Sequence, residues 1–293
     1  MEYVLTRPAG FLILPTTGAP RCAVLVLSGS SGRIEVDRAR MLAAHGAAAI
    51  CLRWFGDAGQ PPGICEVALE TFRPALDRLA GLSRQVAVLG SSKGAEAALL
   101  LAVRDPRIAA TAAFSPTSVA WANVGAGADG LAYPYRSSWT DAGVPVPFVP
   151  YDEAWQPTPG RPAYRGLYEQ SLRTFADRAE QARIPVERIA GRVLLTAGGD
   201  DQVWPSDWFA EQIVARRSAH GLATDLIHGL HAGHAVRLPG EPAGPAGGPP
   251  MERGGTATAD AALGHRVWPA LLGLLGLQHP TAPGAQGSGD GAS

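Results

Sequence analysis

Gly90-Ser91-Ser92-Lys93-Gly94 stands between an apolar run, QVAVL, and a helix-forming one, AEAALLLAV. The five residues fit G-x-S-x-G in the strand–turn–helix setting that gives this pattern chemical meaning: a tight turn lifts the central serine above the sheet edge. Glycines two residues to either side are needed there because a Cβ would meet neighbouring backbone. A chain with 36 glycines produces the bare pattern by chance, so the flanking elements carry the argument. Ser92 is then the candidate nucleophile, with Ser91 and Ser28 as competitors that lack the glycine spacing. The backbone N–H of Lys93, at the start of the helix, faces the oxyanion that attack on an acyl carbon would create. A second donor is expected from Ser28-Gly29-Ser30-Ser31-Gly32, with Ser30 favoured over Ser31. That loop lacks G-x-G-x-x-G and a G-K-[ST] ending, which argues against a phosphate cradle.

A serine hydroxyl is a weak nucleophile at neutral pH and needs a base, which in turn needs an orienting acid. The apolar run RVLLTAG leads into Gly199-Asp200-Asp201-Gln202, where a parallel strand would deliver a carboxylate to the same edge. Asp201 is placed to turn back toward the serine, and Asp200 to cap the turn or face solvent. For the base, His234 in Ala232-Gly233-His234 lies beyond the run TDLIHG; His231 is the runner-up, and His228 reads as a core histidine. Ser, Asp, His is the chain order of the α/β-hydrolases. The three late histidines have no matching carboxylate or cysteine set, so neither a metal nor another cofactor is expected.

The elements that must position these residues follow from alternating short apolar runs and segments of helical period. Strands are expected at 11–15, 22–28, 47–52, 85–90, 108–114, 192–198 and 224–229, and helices at 35–45, 66–82, 95–103, 167–182, 206–219 and 258–275. Fully apolar strands alternating with helices imply an α/β fold: a mostly parallel sheet with helices on both faces and function at the strands' carboxyl ends.

Residues 120–170 break this order and hold nine of the 20 aromatic residues, which argues against disorder and for a lid or pocket wall, or a packing insertion. Trp54, Trp139, Phe148 and Trp204 are the aromatic residues expected to touch substrate. Two further stretches read as carrying no catalysis: a Pro/Gly-rich mobile loop at 239–255 and a disordered tail at 278–293. One catalytic domain over 1–277 is therefore expected.

Composition narrows the partners. With 25 basic and 26 acidic residues and a formal charge of −1, nothing calls for nucleic acid or an anionic membrane. Three cysteines, Cys22, Cys51 and Cys65, make an odd set that suggests reduced core thiols. The start, MEYVLTRPAG, lacks the charge and apolar region of a signal peptide, and no apolar run reaches 18 residues; a soluble, cytoplasmic protein is expected. Of the 25 basic residues 24 are arginine, which codon usage accounts for, yet the single lysine, Lys93, follows the candidate nucleophile. Its side chain is expected to lie along the turn with the ammonium in solvent, or to hold a carboxylate such as Glu96.

LVLSGSSG (25–32), LRWFG (52–56), GSSKGAE (90–96), SSWTDAGVPVPFVPYD (137–152), IPVERIAGRVLLTAGGDDQVWPS (184–206) and AGH (232–234) together resemble the acyl-CoA thioesterase and bile acid-CoA:amino acid N-acyltransferase family of α/β-hydrolases. The resemblance covers about residues 10–275 and includes the insertion. It implies Ser92 as nucleophile, Asp201 as acid and His234 as base. Mammalian members carry an N-terminal β-sandwich domain, and this chain is expected to be a bacterial-type form without it. Members that transfer acyl groups to amino acids carry cysteine as nucleophile, so serine implies hydrolysis of a small-molecule acyl thioester, held on CoA or a carrier. The alternatives are an acyltransferase, an esterase or offloading enzyme for a specialised metabolite, and a non-catalytic binding protein of the same fold.

Overall fold

The computed structural model describes residues 1–242 and 250–277, so the expected tail at 278–293 and the centre of the Pro/Gly-rich loop lie outside the described residues. The chain runs β1 (Glu2–Thr6), β2 (Ala9–Ile13), β3 (Cys22–Leu27), α1 (Val36–Ala44), β4 (Ala47–Leu52), β5 (Val67–Ala68), α2 (Arg73–Ala80), β6 (Val86–Ser91), α3 (Lys93–Arg104) and β7 (Ile108–Phe114). It continues with β8 (Trp139–Asp141), β9 (Val144–Pro145), α4 (Arg165–Thr174), α5 (Ala176–Gln181), β10 (Arg192–Gly198), α6 (Ser206–Ala219), β11 (Asp225–Gly229) and α7 (Ala257–Leu274).

Eight strands form one sheet in the order β1-β2-β4-β3-β6-β7-β10-β11. The six from β4 to β11 are parallel, and β1 and β2 join antiparallel at one edge. Burial explains why the central strands read as continuous apolar runs. In β3, Ala23, Leu25 and Leu27 join one core cluster while Cys22, Val24 and Val26 join the other, which is the period-two alternation of a strand covered on both faces. The first cluster takes in the apolar faces of α2, α3 and α6, and the second those of α1 and α7. Cys22 and Cys51 lie in the second, where burial pushes both thiols up to about 12. Among the described residues no helix is long and apolar enough to cross a membrane.

Several elements depart from the sequence expectation. β1 was not expected: it is a mostly exposed edge strand with no apolar run to announce it. The helix expected over 66–82 starts as two extended residues and a 3-10 turn, Leu69–Phe72, before α2. The one expected over 167–182 breaks at Phe175, whose φ of −114° and ψ of 44° leave the helical region.

Residues 115–164 form no helix, yet they are closely packed. Trp121, Val149 and Tyr151 join Tyr168, Trp204 and Phe209 in a third cluster. Isolated bridges pair Ala122 with Ser137 and Trp121 with Val149, and β5, β8 and β9 make a small second sheet.

Candidate active site

The parallel strands β3, β6, β7, β10 and β11 end on the same edge of the sheet, and the residues singled out by motif follow those ends. Ser92 sits between β6 and α3 with φ 56° and ψ −122°, a strained conformation for a non-glycine residue. Its surroundings leave no slack. A methyl at Gly90 would lie 2.0 Å from the Gly94 carbonyl oxygen, one at Gly94 2.3 Å from that of Ser28, and one at Gly29 2.9 Å from Ser92 Cβ. Lys93 opens α3, so its N–H has no intrahelical acceptor, and Lys93 borders the same cavity as Ser92. Ser30 and Ser31 turn between the Gly29 carbonyl and the Gly32 N–H, 3.3 Å apart, and border the same cavity as Ser92.

Asp201, not Asp200, meets the histidine. Its Oδ2 accepts from His234 Nδ1 at 2.8 Å and from Ser206 Oγ at 2.6 Å, while Oδ1 accepts from the N–H groups of Val203 and Trp204 at 2.9 and 3.3 Å. Asp201 is fully buried, so these four donors replace the water it has lost. With its proton on Nδ1 for this contact, a neutral imidazole carries its lone pair on Nε2. Among the described residues no hydrogen bond joins Ser92 Oγ to His234; the two share one cavity of about 640 Å³. Asp200 is exposed and accepts from the Gly255 N–H at 2.8 Å, which holds its carboxyl below the usual range. His228 stands in β11, and His231 is exposed in the following turn.

The Phe114–Ser115 step gathers the loops. The Ser92 N–H donates to the Phe114 carbonyl at 2.9 Å, and the Ser115 N–H to that of Thr196 at 2.7 Å. Ser115 Oγ donates to the His234 carbonyl at 2.8 Å, and Trp204 Nε1 to the Ser115 carbonyl at 3.2 Å. Sequence reasoning missed Ser115, although its φ of 47° marks a special position.

The Pro/Gly-rich stretch also needs correction. Its described part seats the acid and the base: the Arg253 carbonyl accepts from the His234 N–H at 2.8 Å and from the Gln202 N–H at 3.3 Å, and Met251 and Arg253 border the cavity. Glycines made it look mobile, but Gly254 and Gly255 take positive φ where a side chain would strike Asp200 or Gly233.

Lys93 resolves to the second of its two expectations. Its ammonium is buried, 2.6 Å from Glu96 Oε2 and over the Trp139 ring, and not in solvent. Glu96 Oε1 accepts from Trp139 Nε1 at 2.7 Å and from the Trp121 N–H at 3.0 Å. Desolvation lowers the Lys93 pKa against the pull of Glu96.

Of the four aromatic residues expected at substrate, Trp204 borders the cavity, its ring edge-on to His234 at 5.8 Å. Trp54 and Trp139 stack on each other at 5.3 Å inside the core, and Phe148 packs against the third cluster. Residue type alone does not say which side of a wall an indole faces; Glu96 draws Trp139 inward.

Ser91, the competing serine, accepts from Arg38 Nη1 at 2.9 Å. Arg38 is buried and also pairs with Glu241 at 2.5 Å, tying α1 to the turn and to the segment after β11, and no motif announced it. Among the described residues no three His, Cys, Asp or Glu side chains gather as a metal-binding group.

The chain is similar to known proteins over most of its length. The chain is 28 % identical over 273 residues to acyl-coenzyme A amino acid N-acyltransferase 2 of Mus musculus, covering 89 % of this chain and 61 % of that one. It is 27 % identical over 240 residues to acyl-coenzyme A thioesterase 6 of Mus musculus, covering 80 % and 53 %. The chain thus spans little more than half the length of these relatives. Among solved structures, a dienelactone hydrolase-like promiscuous phosphotriesterase from metagenomic libraries superposes with a TM-score of 0.54 at 18 % identity, covering 94 % of this chain and 95 % of that one, which shows the α/β-hydrolase fold. Residues 68–276 match the family described as BAAT / Acyl-CoA thioester hydrolase C terminal, and the chain belongs to that family.

Proposed function

We propose that this chain is a serine hydrolase that cleaves small-molecule acyl thioesters, on CoA or a carrier, with Ser92 as nucleophile, His234 as base and Asp201 as orienting acid. The observation that carries the reading is the 2.8 Å contact between His234 Nδ1 and the buried Asp201 carboxylate, with His234 on the wall of the cavity that Ser92 also borders. In the first step Ser92 Oγ bonds to the thioester carbonyl carbon and its proton passes to His234 Nε2. The tetrahedral oxyanion lies against the backbone N–H groups of Lys93 and Ser30. The C–S bond then breaks, and the leaving sulfur takes the proton from His234, leaving an acyl-Ser92 ester. Water, giving its proton to the same histidine, attacks that ester; the free acid leaves and Ser92 recovers its proton. In this reading residues 120–170 act as the lid and wall of the acyl pocket.

A fluorophosphonate probe should label the wild-type chain and not Ser92→Ala; equal labelling of the two would sink the assignment. Thiol release from acyl-CoAs should exceed alcohol release from matched oxygen esters, and cleavage of esters alone would reject the thioesterase reading. A second reading, acyl transfer to an amine, is favoured by the N-acyltransferase relatives, which the chain matches as it does the thioesterases. Quantifying free acid and acyl amine when glycine or taurine is supplied separates the two, and serine at position 92 favours the free acid.

A further inference from the structure

Five of the chain's six tyrosines, Tyr133, Tyr135, Tyr151, Tyr164 and Tyr168, border the cavity, and Trp204 joins them. Five of these six rings form a continuous series. Tyr133 meets Tyr135 at 4.9 Å, Tyr135 meets Tyr151 at 5.3 Å, Tyr151 meets Tyr168 at 5.5 Å and Tyr168 meets Trp204 at 5.5 Å. The last ring lies 5.8 Å from His234. From Tyr135 onward each contact is edge-to-face, with interplanar angles of 76° to 88°. The series starts at an exposed ring, Tyr133, and ends at the candidate base.

The rings are also held from behind. Trp121 stacks on Tyr151 and meets Tyr168 edge-on at 4.6 Å, and the Tyr151 hydroxyl donates to the Ala122 carbonyl at 3.3 Å. A wall of interlocked rings cannot reshape itself around a flexible chain as methionine or leucine can. A straight alkyl group would lose torsional freedom on entering it and gain contact area alone. A flat ring loses little entropy and adds edge or face contacts that stabilise it beyond the area it buries. Tyrosine further offers a polar tip, a phenol protonated near neutral pH; the Tyr135 hydroxyl meets that of Tyr133 at 3.3 Å, and burial raises its pKa further.

We infer that the acyl pocket takes a flat aromatic acyl group carrying oxygen substituents, in preference to a linear fatty acyl chain. This rests on the thioester reading for the bond that is cleaved, but the pocket's selectivity can be tested without it. With 4-hydroxycinnamoyl-CoA and octanoyl-CoA as probes, kcat/KM from thiol release should favour the aromatic thioester at least tenfold. Tyr135→Leu should reduce that ratio at least fivefold. A wild-type ratio near one, or in favour of octanoyl, overturns the inference whatever the variant does.

Should neither thioester be cleaved, the proposed function falls while the pocket stays testable. Quenching of tryptophan fluorescence by free 4-hydroxycinnamate, compared with thermal-shift binding of both acids, should then give at least tenfold tighter binding than octanoate. Equal affinity, or no binding of the aromatic acid, overturns the inference.

Discussion

Two buried carboxylates organise this site, Asp201 after β10 and Glu96 in α3, and each holds a nitrogen of a basic side chain within 3 Å. Their pairs differ in what the partner can still do. His234 spends one ring nitrogen on Asp201 and keeps the other beside a cavity it shares with Ser92. Lys93 has its ammonium enclosed by Glu96 and the Trp139 ring, with Trp121 and Trp139 taking the carboxylate's other oxygen. On the proposed mechanism the first pair leaves a lone pair for chemistry; the second joins the turn that carries Ser92 to the segment that carries the aromatic wall. Distance and burial alone would rank the two alike. What separates them is whether an unspent polar atom meets open space.

Asp201→Asn should break the first pair most sharply. An amide that presents its N–H to His234 forces the wrong tautomer, and turnover should fall on the order of 10⁴-fold with the fold retained. Unchanged turnover would remove Asp201 from the mechanism.

Lys93→Met should strike stability. It leaves Glu96 buried without its cation, at a cost of about 3–5 kcal/mol read from denaturant unfolding, while Lys93→Met with Glu96→Gln, which removes the charge and keeps an acceptor for the Trp121 and Trp139 donors, should recover much of the loss. A single variant as stable as wild type would mean that the pair holds nothing together.

Gly29→Ala sharpens the contrast from the other side of the turn. The added methyl would lie 2.9 Å from Ser92 Cβ and 3.1 Å from the Ser91 carbonyl, so overpacking of about 1–3 kcal/mol is expected, together with weaker fluorophosphonate labelling.

Asp200→Asn should have the smallest effect, because this carboxylate is exposed and tethers Gly255. Its folded pKa lies below the unfolded value, so the contribution is fully present above the usual carboxylate pKa of about 4 and is lost as pH falls through the folded value. The stability difference between wild type and Asp200→Asn, measured from pH 7 to pH 3, should be flat at first and then close.

Local signals were readable before the structure. β4, β7, β10 and α6 have the bounds expected from apolar runs and periodicity: the strands are buried over nearly all of their residues, and α6 turns one face to the core. The turn at Ser92 was readable because its glycines must sit within two residues of it. Choosing between Asp200 and Asp201 took loop-boundary reasoning, and the structure sorts them by which one reaches His234. Ser115 and Arg38 escaped notice because their partners lie 119 and 203 residues away, beyond any spacing rule. The aromatic density of 120–170 showed that the segment packs, but not which rings face inward: Trp139 joins the core while Tyr135 borders the cavity.

The Phe114–Ser115 step also marks where the molecule can be cut and rejoined. A transplant of the aromatic segment that starts after Ser115 would leave the Ser92 amide, the Thr196 carbonyl and the His234 carbonyl on their present partners, so a foreign pocket would meet intact machinery. A graft begun two residues earlier would replace those partners and loosen nucleophile, acid strand and base together. On the proposed reading, the Phe114–Ser115 step is thus where the aromatic segment joins the turns that carry Ser92 and His234.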